Sequence, residues 1–194
     1  MRTSLISLLL AVSIVAETAA SPQSAQSGDR TLDPAWKVPA VIAFIGLKKG
    51  DKVADIVGNH LTASLAWTVG PTGTVYAIET AQVAKLHPEL IERIKALAAR
   101  LPNIVVSDEP VATPLPAGLD AVVIRQNYHD LYDKHMAPVD VAVFNKDVFA
   151  ALRPGGVYVV LDHAALAGSG IDSVPNAPSR VRIPQGLSKF FPTR

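Results

Sequence analysis

Cysteine is absent from the 194-residue chain. That excludes disulfide scaffolds, thiolate metal sites and cysteine nucleophiles together. Charge of one sign is lacking too. The 18 Lys and Arg against 17 Asp and Glu leave a formal net charge of +1, too small a basic excess for a general nucleic-acid binder. Charged residues are scarce at 18%, while hydrophobic residues reach 49%. This balance excludes disorder and supplies a packed core. The 5 histidines, at 60, 87, 129, 135 and 163, show neither HxH nor HExxH spacing, so no metal site is expected.

Long apolar runs are missing as well. Residues 5–16 are apolar except for Ser7 and Ser13, short of the roughly 20 residues a membrane span needs. The run follows Arg2 and ends at Glu17-Thr18-Ala19-Ala20-Ser21. A basic start, an apolar centre and small residues at the end describe a secretory signal over residues 1–20, with an uncleaved anchor or a buried helix as the alternatives. The expectation is an exported protein, periplasmic or secreted, with no stable membrane insertion once the signal is removed. Residues 21–32 read as a flexible leader.

The remaining chain alternates strands and helices. Strands are expected at 52–56, 74–79, 103–106, 119–124 and 157–161. Helices are expected at 38–47, 61–69, 88–101 and 138–152, on apolar spacing and on Gly and Pro stops. Residues 108–118 hold three prolines, at 110, 114 and 116, and read as a loop. Short, nearly all-apolar strands separated by helices indicate a parallel sheet buried on both faces. The right-handed crossover rule makes it a doubly wound, mainly parallel α/β sheet. Trp36 and Trp67 read as core or lid packing.

Ligands of such sheets bind at the carboxyl ends of the strands. The residues there are Val57, Gly58, Asn59 and His60 after strand one, Glu79 after two, and Asp108 after three. Asn127, Tyr128 and His129 follow strand four, and Asp162 and His163 follow strand five. Glu79 is the most interpretable. A carboxylate at that strand end accepts both hydroxyls of a ribose. Alternatively it is a solvated acid, or a charge at the start of the next helix.

Several segments, "GLKKGDKVADI", "VGPTGTVYAIE", "NYHDLYD", "LRPGGVYVVLDH" and "AGSG", resemble the class I S-adenosylmethionine-dependent methyltransferases, and within them a group of small exported proteins. The resemblance spans about residues 33–172 and implies a Rossmann-like methyltransferase domain. It also implies S-adenosylmethionine as cofactor and a small molecule as substrate. By it Asp55, Gly58 and Asn59 lie under the methionine moiety, Glu79 holds the ribose and Asp108 lies near the adenine. Asn127, Tyr128 and His129 border the substrate. The chain departs from the family in two places. The first loop, expected as D-x-G-x-G-x-G, reads Asp55-Ile56-Val57-Gly58-Asn59-His60-Leu61 with a single glycine. Residues 173–194 read as an irregular, Pro-rich tail, so the final antiparallel strand pair is expected to be missing. Strand five is then a sheet edge, open or covered in a homodimer.

His129 is the general-base candidate, because imidazole titrates near working pH. Tyr128 stacks on or hydrogen-bonds the acceptor. Alternatively Tyr128-His129-Asp130 caps the following turn. His163 lines the acceptor pocket or satisfies loop carbonyls. Two further readings stand beside the methyltransferase: a binding protein that keeps the sheet without using cofactor, and a nicotinamide-dependent oxidoreductase. The single glycine weighs against the latter.

Overall fold

A computed structural model describes residues 37–58, 61–107, 115–132, 139–163 and 185–190. The signal and leader segments, Trp36, Asn59, His60, Asp108, His135 and the side chain of His163 lie outside the described residues.

The elements follow in the order α1 (Val38–Ile45), β1 (Lys52–Ile56), α2 (Thr62–Val69), β2 (Thr74–Ile78), α3 (Ala81–Leu86) and α4 (Pro88–Arg100). Then come β3 (Ile104–Ser107), β4 (Leu119–Arg125), a 3-10 turn (His129–Tyr132), α5 (Val141–Ala151), β5 (Leu152–His163) and β6 (Gln185–Phe190). The sheet order is β3-β2-β1-β4-β5-β6. β1 to β5 are parallel, and β6 runs antiparallel to β5 from Tyr158↔Phe190 to His163↔Gln185. The strand order reverses beside β1, which puts the switch point between β1 and β4.

Strand alternation divides the core into two. Val53, Val75, Ala77, Ala121, Val123, Val159 and Leu161 face one way, onto α1, α2 and α4. Ala54, Ile56, Ile78, Val122, Ile124 and Tyr158 face the other way, onto α5. Helix α4 shows how the pattern builds the layer. Pro88 opens it, Glu89 complements its N-terminus and Arg100 its C-terminus. Ile91 and Ile94, three apart, are its buried contacts, each contributing about 1.5–3 kcal/mol of burial.

Several expectations change. The 3-10 turn and α3 were not expected. Thr80 caps α3, its Oγ1 accepting from Val83 N–H at 3.0 Å. β5 starts at Leu152 rather than 157, because the chain rejoins β4 across an irregularity between Leu119 and Ala121. The tail is not irregular throughout, and β5 is not the sheet edge. Gln185–Phe190 pairs along β5, so one antiparallel strand stands where a pair was expected to be missing. The outer strands of the described sheet are β3 and β6. Trp67 is 46% exposed and is not core; it lines an open groove with Pro71, Pro102 and Val105, near the start of β2.

Candidate functional site

The parallel strands bring their carboxyl ends to one side of the sheet. Asp55 is next to last in β1 and buried. Its Oδ2 accepts a hydrogen bond of 2.7 Å from the Thr62 hydroxyl, which ties the strand tip to the first turn of α2. Burial pushes the Asp55 carboxyl up to about 7, against the opposing pull of Thr62 and of the Arg125 charge. The turn between β1 and α2 is tight around this carboxylate. A Cβ at Gly58 would stand 2.8 Å from Asp55 Oδ2, so only glycine fits there.

Val57 occupies the first glycine position of the loop and carries φ 51°. That left-handed region is costly for a β-branched residue. Val57 N–H donates to Ile78 O at 2.7 Å, which locks the backbone into this turn. The valine side chain packs against the α5-side cluster. Leu61 is buried in the opposite cluster with Val53 and Leu65. The two side chains that stand at glycine positions of the expected D-x-G-x-G-x-G loop are therefore taken up by the two cores.

Glu79 follows β2 and is completely buried. Its N–H continues the ladder to Ser107 O at 2.8 Å. Both of its carboxylate oxygens are buried without a hydrogen-bond partner. Burial, and secondarily the Asp55 charge, push it up to about 8. Alternation puts Glu79 on the face of Ala77, and Asp55 on the face of Val53. The two carboxyls are thus neighbours on the α2 side. The alternative of a solvated strand-end acid is excluded by this burial.

Arg125 ends β4 and is also buried. Its Nη1 donates to Gln126 Oε1 at 2.7 Å. Burial lowers its pKa and the Asp55 charge opposes that. Gln126 turns the chain out of β4 with φ 59°.

Beyond that turn Asn127 Nδ2 donates to Asp130 Oδ2 at 3.0 Å. His129 is clamped to the tip of β5. Its backbone N–H donates to Asp162 Oδ2 at 2.9 Å, and its Nδ1 lies 2.8 and 3.0 Å from the two carboxylate oxygens of Asp162. Its Nε2 lies 3.3 Å from Asp130 Oδ1, and the ring is about one-third exposed. The Asp162 hydrogen bond holds the His129 pKa above 6.5, against desolvation and with help from the Asp162 and Asp130 charges. A proton on Nδ1 directed at Asp162 leaves Nε2 as the basic atom. Tyr128 turns toward α5, where its hydroxyl accepts from Asn145 Nδ2 at 2.8 Å. Its ring meets Tyr132 and Tyr158 edge-on, with centroids 6.0 and 6.5 Å apart.

The structure therefore brings together Asp55, Gly58 and Glu79 at one end, and Asn127, Tyr128 and His129 at the other. Sequence reasoning missed Arg125 and the His129–Asp162 pairing. Arg125 ends an apolar strand as Glu79 does, and that shared pattern was the available signal. The pairing joins residues 33 apart and left no local trace.

No family model matches the chain. Over 105 residues it is 30% identical to the 6-hydroxytryprostatin B O-methyltransferase of Aspergillus fumigatus. The match covers 54% of this chain and 29% of that protein, so the chain spans under a third of this curated relative. Among solved structures it resembles a SAM-dependent methyltransferase from Aquifex aeolicus, with TM-score 0.51 and 21% identity over 65% of this chain and 63% of that one. It also resembles a coclaurine N-methyltransferase bound to N-methylheliamine and SAH, with TM-score 0.50 and 17% identity over 65% of this chain and 34% of that one. These likenesses establish the Rossmann-like methyltransferase fold.

Proposed function

We propose that the protein transfers a methyl group from S-adenosylmethionine to a hydroxyl of a small acceptor. The observation that carries this reading is Glu79. Two buried carboxylate oxygens without partners are costly to leave unsatisfied. Their position after β2 suits the two vicinal hydroxyls of a ribose, which on binding would donate one to each oxygen and draw the carboxyl, raised to about 8 by burial, toward its ionised form. Asp55 and Gly58 fit the amino-acid side of the same ligand: a buried carboxyl, and a glycine whose missing side chain leaves room for that carboxyl at the strand tip. Asn59 and Asp108 belong to the same reading, by the resemblance alone.

When bound, S-adenosylmethionine would supply an electrophilic methyl group, its S–methyl bond breaking and S-adenosylhomocysteine leaving as the neutral thioether. The chain contributes positioning and proton handling. Asp162 orients the imidazole and stabilises its charged form. His129 accepts the acceptor hydroxyl proton at Nε2 as the oxygen gains the methyl group, the acceptor hydroxyl replacing Asp130 Oδ1, which lies 3.3 Å from that nitrogen. Asn127 holds Asp130 beside that imidazole. Tyr128, held by Asn145, belongs to the acceptor side by the resemblance alone. His163 belongs to the acceptor side. The choice of oxygen as acceptor rests on this base and on the resemblance to an O-methyltransferase.

The test is methyl transfer from labelled S-adenosylmethionine to a panel of phenols and aliphatic alcohols. His129→Gln is expected to lower the rate by about 10²–10⁴-fold while cofactor affinity stays within about twofold. A panel with no methylated product, or a His129→Gln variant as active as wild type, contradicts the assignment. Export is part of the proposal and rests on residues 1–20; the mass of protein recovered outside the cytoplasm tests it. A homodimer built by strand addition would use β3 or β6.

A further inference from the structure

The two carboxyls at the β1 and β2 tips have a third buried charge beside them. Arg125 is 7% exposed and comes directly after Ile124, which stands opposite Ile56 in the β1–β4 register. Alternation puts it on the face of Ala121 and Val123, the face that also carries Val53 and Ala77. Arg125, Asp55 and Glu79 thus share one side of three neighbouring strand tips. Asp55 and Arg125 each feel the other's charge, beneath the larger effect of burial.

Across the order β2-β1-β4 the tips read Glu79, Asp55, Arg125. At roughly 4.8 Å per strand the array spans about 10 Å. A matching ligand presents hydrogen-bond donors at one end, positive charge in the middle and negative charge at the far end. A nucleoside whose ribose 5′-carbon carries an α-amino-acid tail has that order: diol, ammonium, carboxylate. The geometry points to Arg125 as the residue that takes the α-carboxylate of this tail, an inference that rests on the S-adenosyl reading above. A guanidinium offers paired N–H donors that match the two oxygens of a carboxylate. Gln126 fixes one edge of it, accepting from Nη1 at 2.7 Å. Gln126 is itself held, its N–H donating to Leu161 O at 2.7 Å. The guanidinium is therefore oriented before ligand arrives.

A guanidinium that only neutralised Asp55 would affect all adenosyl ligands alike. The experiment separates the two roles. The full chain is titrated by calorimetry with S-adenosylhomocysteine and with its decarboxylated analogue. Wild type is expected to bind S-adenosylhomocysteine at least about tenfold more tightly, a difference of about 1.4 kcal/mol. Arg125→Gln should erase that difference, weakening S-adenosylhomocysteine about tenfold and leaving the analogue within about twofold. Arg125→Lys should keep part of it. Equal binding of the two ligands by wild type overturns the assignment, and that comparison needs no variant to fold. Equal weakening of both ligands in Arg125→Lys overturns it too. If wild type binds neither ligand, the S-adenosyl reading itself fails and the assignment falls with it.

Discussion

Replacing Glu79 by glutamine should make the unliganded protein more stable and remove its ligand site. The carboxyl sits at about 8 in the folded chain against an ordinary value of 4.5, because it is buried and lies beside Asp55. A raised folded pKa means that ionisation opposes folding. The stability is fully present below about pH 4.5, and is lost as pH rises toward about 8. Neutral pH lies about 2.5 units above the unfolded value, and each unit is about 1.4 kcal/mol. Glu79 therefore costs on the order of 3 kcal/mol at pH 7. Glutamine has nearly the same shape and never ionises, so the variant recovers most of that at neutral pH and almost none in acid. For a chain of this size the gain is roughly 6–12 °C in Tm. Thermal unfolding of both proteins, followed by circular dichroism at about pH 4.5 and about pH 7.5, reads it directly. Equal or lower stability of Glu79→Gln at the higher pH would refute the reasoning. So would a gain that does not change with pH. A residue kept for structure alone would not behave this way; a site residue that costs stability until its ligand arrives would.

Other outcomes follow from the same geometry. The rate of methyl transfer should rise with pH through an apparent pKa above 6.5, because Asp162 stabilises the imidazolium of His129. Asp162→Asn should shift that limb to lower pH while reducing the maximal rate, and a pH–rate profile that does not move contradicts the dyad. The His129 contribution to stability has the opposite ordering to its use as a base: it is present below 6.5 and lost as pH climbs through the raised value. Val57→Gly relieves left-handed strain of about 1–2 kcal/mol, offset by lost packing and by about 0.5–1 kcal/mol of added chain entropy. Its Tm should stay within roughly 3 °C of wild type while S-adenosylhomocysteine binds more tightly; a large fall in both would show that the valine is needed. Thr62→Val leaves one Asp55 oxygen without its donor and should cost about 1–3 kcal/mol in urea unfolding, more at pH 8 than at pH 5 because Asp55 then titrates higher. A neutral result would show that the hydroxyl does not support the carboxylate.

The strands were legible because a sheet covered on both faces demands short apolar runs, and the runs at 52–56, 74–79 and 119–124 stand out between charged or turn residues. Glu79 was legible for the same reason, as the acid that ends such a run. α3 was not, because its six residues carry little amphipathic pattern and depend on the Thr80 cap. β6 was not, because Gln-Gly-Leu-Ser-Lys-Phe has no alternation, and its partner is fixed by β5 rather than by its own sequence. The sequence showed that the first loop lacks glycines. Only the backbone shows that Val57 nevertheless adopts the glycine-like conformation. The His129–Asp162 contact and the place of Arg125 beside Asp55 depend on which strands are neighbours, and a single sequence does not state that.

The central claim is that the buried acceptors of Glu79 receive the ribose of an S-adenosyl ligand. Calorimetric titration of the purified wild-type chain and of Glu79→Ala with S-adenosylmethionine tests it most directly. The account predicts saturable micromolar binding by wild type that is lost in the variant. Binding that never saturates in wild type, or that survives the substitution unchanged, would contradict it.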